Sequence, residues 1–378
     1  MDWDRWVDPG VSSGLVRLTR SSGTAGGSQH ESTSGLPSSE RIGLLQSSLR
    51  GNQVNEDLRT AVAEGAGEAL AKVAGEETPQ LSLREMIGLE AVIIADGTRP
   101  SLRVRDGFVE LHRPQAQSWA ADLGFKEHAV RKVIAATGLI SVPVRSGLAG
   151  TALMVSEECV LTNRHVAEQI ASESDGWRLN WPGRTGIDFV AEDSVAIAPN
   201  FEVVEVVGAG PVRIGDAPSL AKLDYALLRI RPIGGARPPM PIVRDPGTKI
   251  GPDMVLAPDR TVYAVGIPGK PERWRGKGNP PAHHETAEVI AELFSGLFGV
   301  KRLAPGLVTR MPDTLPSGQG RVFAHDCSTL PGSSGSAVAD LDINGYCVAG
   351  LHFGGVSRSN NYAHGFAAIA DDLKRSGL

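Results

Sequence analysis

The spacing of apolar residues divides this chain into unlike stretches. Residues 10–39 are rich in Ser, Gly and Thr with little apolar content, which predicts a disordered lead over 1–38. From Ser39 to Ala74, the runs ERIGLLQSSLR and EDLRTAVAEGAGEALAKVA place apolar residues at helical spacing, with interior glycines that weaken it. Glu76 to Pro79 reads as a break and Leu81 to Leu89 as a further helical turn. LEAVIIA and a Gly-Thr-Arg-Pro turn follow, and then SLRVRDGFVEL alternates about Asp106-Gly107, a hairpin signal. Between Gln115 and Thr137, the positions Trp119, Leu123, Val130, Val133 and Ile134 suit one face of a helix, which Gly138 would end.

Beyond Gly138 short β-type runs dominate, and three of them carry chemistry. Val160 to Thr162 ends in a polar turn that delivers His165 where a helical turn could start. Leu223 to Ile230 is a buried-strand pattern with Asp224 near its opening, and a buried carboxylate needs a partner such as a histidine N–H. Leu330-Pro331-Gly332-Ser333-Ser334-Gly335-Ser336 sets a serine in a glycine-rich turn before an apolar run. A serine hydroxyl becomes a nucleophile only when a base takes its proton and donors await the oxyanion. Gly332 and Ser334 can offer two backbone N–H groups for that purpose. The order His165, Asp224, Ser334, with gaps of 59 and 110 residues, excludes the Asp-His-Ser and Ser-Asp-His arrangements.

These three segments resemble the triad regions of the chymotrypsin-like (trypsin-superfamily) serine proteases. Gly147 to Ala167 (GLAGTALMVSEECVLTNRHVA) resembles the histidine segment of bacterial trypsin-like peptidases. Val348 to Val356 (VAGLHFGGV), with Ser-Gly-Ser at Ser334 to Ser336, resembles the staphylococcal-type glutamyl endopeptidase branch. The resemblance covers Gly138 to Leu378 and implies a mainly β fold: a chymotrypsin-like double β-barrel of two six-stranded barrels with the site in the cleft between them. It also implies that Thr329 and His352 bind an acidic side chain before the scissile bond. The strand Phe353-Gly354-Gly355 would pair with substrate backbone. Asp326, if near the pocket, would favour a basic side chain instead. Zymogen-activated relatives carry Asp immediately before the nucleophile, and Ser333 stands there, which argues against activation through that ion pair.

The expected organisation is a lead (1–38), an accessory or regulatory region of helices plus a hairpin (39–137), and a protease domain (138–378). Residues 39–137 carry no nameable chemistry; they read as a part that completes the fold, an inhibitory cover over the cleft, or the docking site of a regulatory protein partner. Bacterial trypsin-like peptidases with similar extensions occur in defence or signalling settings, which suggests a regulated enzyme of narrow specificity. Within the protease, 269–312 reads as an insertion before the nucleophile strand. Its run HHETAEVIAELFSGLFGV has a helical apolar face of Val289, Ile290, Leu293, Phe294 and Leu297, and could gate the cleft. Trp274 with Arg273, Arg275 and Lys277 reads as a solvated rim. Adjacent His283 and His284 diverge, so with Glu285 they make a poor metal site.

Composition narrows the rest. A net charge of −5 and the lack of a concentrated basic run argue against nucleic acid as the partner and leave a protein or peptide substrate. Neither zinc spacing nor a phosphate-binding glycine loop is evident, so no cofactor or metal is expected. Cys159, Cys327 and Cys347 are read as reduced thiols, Cys159 and Cys347 in the core and Cys327 near the cleft. The start MDWDRWVDPG lacks a basic region and an apolar core, and no apolar run suits a membrane span, so a bacterial cytoplasmic serine endopeptidase is expected. The rival readings are a latent protease that a partner activates and a non-catalytic peptide-binding scaffold.

Overall fold

The computed structural model describes residues 36–51, 54–76, 79–144, 147–193, 198–214, 220–242, 257–270, 281–311, 322–342, 347–356 and 360–375. The expected lead thus lies almost wholly outside the described residues, as do Trp274 with its basic neighbours and the side chains of His283, His284 and Glu285.

Three helices open the described chain: Ser38–Ser48, Glu56–Gly75 and Leu83–Ala95. Asn55 caps the second by accepting the Leu58 N–H at 2.8 Å. Ser82 starts the third with a reciprocal capping box, its N–H donating to Glu85 Oε2 at 2.6 Å. That start carries the helix through LEAVIIA to Ala95, well past the turn expected from spacing. Gly88, one of the helical glycines, lets two helices touch backbone to backbone, since a Cβ there would stand 2.3 Å from Ala66 N. β1 (Leu102–Arg105) and β2 (Phe108–Val109) form the expected hairpin. Asp106 and Gly107 turn it with φ of 53° and 74°, the positive pair that a tight I′ turn demands. The helical pattern over 115–137 is realised as a 3₁₀ segment Pro114–Trp119 and two helices, Ala120–Phe125 and Glu127–Ala136.

A first barrel closes from six antiparallel strands: β3 (Thr137–Ser141), β4 (Leu148–Met154), β5 (Cys159–Thr162), β8 (Gly186–Asp188), β9 (Phe201–Ala209) and β10 (Ala226–Pro232). A small ribbon of β6 (Ala171–Ser174) and β7 (Gly176–Leu179) projects after the helix Arg164–Ile170. The second barrel closes from β11 (Thr261–Gly266), β12 (Arg302–Arg310), β13 (Val322–His325), β14 (Ala337–Asp340), β15 (Cys347–Val356) and β16 (Asn360–Gly365), with β11 bonded to both β14 and β12. The fold is therefore mainly β, a double barrel of chymotrypsin type.

The N-terminal elements are stitched into this frame. β1 extends the second barrel at its β12 edge, with Leu102 opposite Leu303. One apolar core joins Val104, Trp119 and Val130 to Leu153 and Leu161 of the first barrel and to Leu303 and Leu351 of the second. Of the span 269–312 read as an insertion, Arg302–Arg310 is instead the barrel strand β12. The helix Pro281–Leu293 before it buries Val289 among Val62, Ala91 and Val92, so the N-terminal helices take up its apolar face. Lys301, 1 % exposed, donates to the carbonyls of Ile134 and Phe189, both at 2.7 Å, and so ties the helix before β3 to both barrels.

Candidate active site

His165 and Asp224 meet at the open end of the first barrel. β5 ends at Thr162, and the short helix Arg164–Ile170 starts at once, which lifts His165 out of the sheet. Asp224 precedes β10, the strand paired with β5, so two adjacent strand ends place the residues side by side. The His165 Nδ1–H donates to Asp224 Oδ2 at 2.6 Å, and its backbone N–H donates to Oδ1 at 3.0 Å. The carboxylate is buried at 1 % exposure while the imidazole keeps 21 % of its surface exposed. The Asn163 amide holds the Asp224 carbonyl at 2.8 Å.

Ser334 comes from the second barrel, on the turn before β14, and is half-buried. Its carbonyl accepts the Thr151 N–H at 2.8 Å, and the Thr151 hydroxyl donates to the Gly332 carbonyl at 2.9 Å. Thr151 lies on β4, so the first barrel holds the serine turn at two points. Gly150 lies between the two groups: a Cβ there would be 2.9 Å from Val166, next to His165, and 3.3 Å from the Ser334 carbonyl oxygen. Gly335 has φ of +90°, and a Cβ there would stand 1.9 Å from the Thr151 carbonyl oxygen, so the turn requires glycine. The Pro331 carbonyl accepts the Gly269 N–H at 2.7 Å, and the Ser333 carbonyl accepts the Ser336 N–H at 3.0 Å. Across a trans peptide, N–H opposes C=O. The Gly332 and Ser334 N–H groups therefore point away from those two internal contacts.

The expected specificity residues are arranged as follows. The Thr329 hydroxyl donates to Asn361 Oδ1 at 2.8 Å. His352 is 3 % exposed and its Nδ1 lies 3.3 Å from His325 Nε2, the two rings meeting edge to face. Burial pulls His325 down to about 3. His352 is held well below the ordinary range by burial and by the nearby His325 and His165. The Phe353 side chain is buried and stacks on His364 at 4.2 Å, while Gly354 is half-buried and Gly355 exposed. β15 pairs with β14 only as far as Leu351, so beyond His352 that edge of Phe353–Gly355 has no strand partner among the described residues.

Two expectations are corrected. Asp326 does not favour a basic substrate group: Arg99 binds it at 2.7 Å and the pair is buried. Cys327 does not line the cleft; it is fully buried, and burial beside Asp326 pushes its thiol above the ordinary range. Cys159 and Cys347 are buried core thiols as expected. His325, His364 and Thr151 went unnoticed in the sequence. His364 Nε2 accepts the Asp224 N–H at 3.0 Å across 140 residues of chain, a distance no local pattern reports.

A double barrel with a histidine–carboxylate pair at the end of the first barrel, and a glycine-rich serine turn of the second barrel bonded to the first through Thr151, is an arrangement of the chymotrypsin-fold serine proteases. Residues 150–349 match the family model of the trypsin-like peptidase domain. The chain is also 34 % identical over 313 residues to a probable serine protease of Lysobacter enzymogenes, covering 79 % of this chain and 77 % of that one. It belongs to the trypsin-like peptidase family. Among solved structures it is similar to a serine endoprotease of Yersinia pestis, at 15 % identity over 66 % of each chain with a TM-score of 0.38. An inactive-form serine-to-alanine mutant from M. tuberculosis matches at 18 % identity over 66 % of this chain and 90 % of that one, with a TM-score of 0.36. Among the described residues no helix is long and apolar enough to cross a membrane.

Proposed function

We propose that the protein is a serine endopeptidase using His165, Asp224 and Ser334 as its triad. The observation that carries this reading is the two-point contact between His165 and the buried Asp224 carboxylate. That contact keeps the proton on Nδ1 and leaves Nε2 free to accept one. Ser334 Oγ attacks the scissile carbonyl carbon as its proton passes to His165 Nε2, and the Gly332 and Ser334 N–H groups receive the oxyanion. The intermediate collapses as His165 protonates the departing amine. Water, deprotonated by His165, then attacks the acyl-Ser334 ester, and His165 returns that proton to Ser334 Oγ as the C–Oγ bond breaks and the acid leaves. Asp224 holds the ring and stabilises the imidazolium through the same contact.

Substrate backbone adds to the unpaired edge at Phe353–Gly355. Thr329, whose hydroxyl must turn from Asn361 to do so, and the buried His352 receive the side chain before the cut. His352 is held neutral, so it meets a substrate carboxylate with an N–H dipole rather than a full charge, which suits narrow recognition of acidic residues. The test is fluorophosphonate labelling together with mass-spectrometric cleavage mapping of a peptide library, comparing the intact protein with Ser334→Ala. Label and cuts confined to the intact protein, with Glu or Asp before each cut, are expected. Labelling of Ser334→Ala would overturn the triad, and cuts after Lys or Arg would overturn the acidic pocket. Absence of label on the intact protein would overturn Ser334 as an active nucleophile in this chain, in favour of a peptide-binding scaffold or a form that awaits a partner.

A further inference from the structure

Residues 97–101 carry the chain from the N-terminal helices to the base of the second barrel. Arg99 makes an unusual set of contacts there. Its guanidinium is 5 % exposed and meets Asp326, itself 4 % exposed, at two points: Nε to Oδ1 at 2.7 Å and Nη2 to Oδ2 at 3.1 Å. The Leu307 N–H donates to the same carboxylate at 2.7 Å, locking it to β12. The Arg99 carbonyl accepts the Ser328 hydroxyl at 2.6 Å. Arg99 is fixed from the other side as well, by its N–H to the Ile93 carbonyl at 3.0 Å and by Trp119, whose ring lies 5.8 Å from the guanidinium carbon. Behind it, the buried Arg41–Asp96 pair at 2.6 Å ties the first helix to the end of the third.

The segment held this way is the one that leads to the nucleophile. β13 ends at His325 and β14 begins at Ala337, so residues 326–336 have no continuous strand partner among the described residues. A planar two-point pair constrains orientation as well as distance, which a single contact does not. Thr329 follows Ser328 directly, and the turn through Leu330 to Ser333 then sets Ser334.

We propose that Arg99 is a positioning residue for the nucleophile loop, and that the N-terminal region acts in cis to hold that loop in its reactive geometry. The proposal rests on the Ser334 reading above. It makes residues 39–137 a working part of the protease rather than a cover to be removed.

The test uses the full chain and the second-order rate of inactivation by a fluorophosphonate, measured where circular dichroism shows each variant folded. Arg99→Gln is expected to slow inactivation at least tenfold, with Arg99→Lys recovering part of the rate. Arg103→Gln, which removes a pair with Asp193 and Glu110, neither of them in the loop, is the control for lost stability and is expected to keep the rate within about twofold. Should Arg99→Gln fail to fold, Ser328→Ala removes the second contact with a milder change and is expected to slow inactivation threefold or more. An Arg99 variant (or, in its place, Ser328→Ala) that reacts as fast as Arg103→Gln overturns the brace alone. An intact protein that does not react overturns the Ser334 reading and the brace with it.

Discussion

Acid should destabilise this protein well before its carboxylates titrate, because two histidines are buried neutral in the second barrel. His325 falls from the ordinary 6.5 to about 3. Between those limits the unfolded chain binds a proton that the folded chain refuses, so stability is intact above pH 6.5 and is lost as pH falls toward 3. Each pH unit in that window costs about 1.4 kcal/mol per such group. At pH 5 the loss from His325 is about 2 kcal/mol, and by pH 3 it reaches about 5 kcal/mol, against a typical total of roughly 5–15 kcal/mol. His352 shifts in the same direction and adds to the effect. The assay is urea unfolding from pH 7.5 to pH 5 in a Ser334→Ala background, which prevents self-cleavage, with and without His325→Gln. The stability difference between the two proteins should close by about 2 kcal/mol over that range. A difference that stays constant with pH would refute the argument that His325 is held neutral by burial.

Other predictions follow from single contacts. Asp224→Asn keeps the hydrogen bond but presents an N–H to His165 Nδ1, moving the ring proton to Nε2; kcat/KM should drop by roughly 10⁴ at neutral pH with little change in thermal stability. Thr151→Val leaves the Ile267 N–H and the Gly332 carbonyl without their shared hydroxyl; unfolding should be easier by about 1–3 kcal/mol, and titration of active serines should show a slower burst. Lys301 is pulled from 10.5 to about 8 by burial. From pH 8 to 10.5 the unfolded chain therefore holds the extra proton and the native state gains about 3 kcal/mol, a rise that chemical unfolding should lose in Lys301→Met.

Much of the architecture was legible where a local rule acts alone. Asp106-Gly107 specified its hairpin because a two-residue turn with positive φ at both positions accepts few other pairs. His165, Asp224 and Ser334 stood out because each lies at a junction between a β-type run and a polar stretch, His165 after its run and the other two before theirs. Helix limits were less legible: the capping box at Ser82 and Glu85 carried a helix through LEAVIIA, whose local composition suits a strand equally well. The specificity region was read least well. Asp326 sits close to the nucleophile in sequence, yet its partner Arg99 is 227 residues away. The same distance problem hid the His325–His352 contact and the bond from Asp224 to His364, since spacing along a chain says nothing about which strands of a barrel become neighbours.

The pairing of β1 with β12 also bears on when activity can arise during synthesis. Leu102 emerges from the ribosome some 200 residues before Leu303, its opposite number. At roughly 5–20 residues per second, the hairpin waits about 10–40 s for the strand it pairs with. Arg99 waits longer still for Asp326, and Ser334 follows only after that. Joining residues some 200 positions apart in this way ties the nucleophile loop's geometry to completion of the second barrel. On the proposed triad, a nascent chain that has made His165 and Asp224 but not yet the second barrel lacks its nucleophile, so competence waits for the strands that β1 and Arg99 engage.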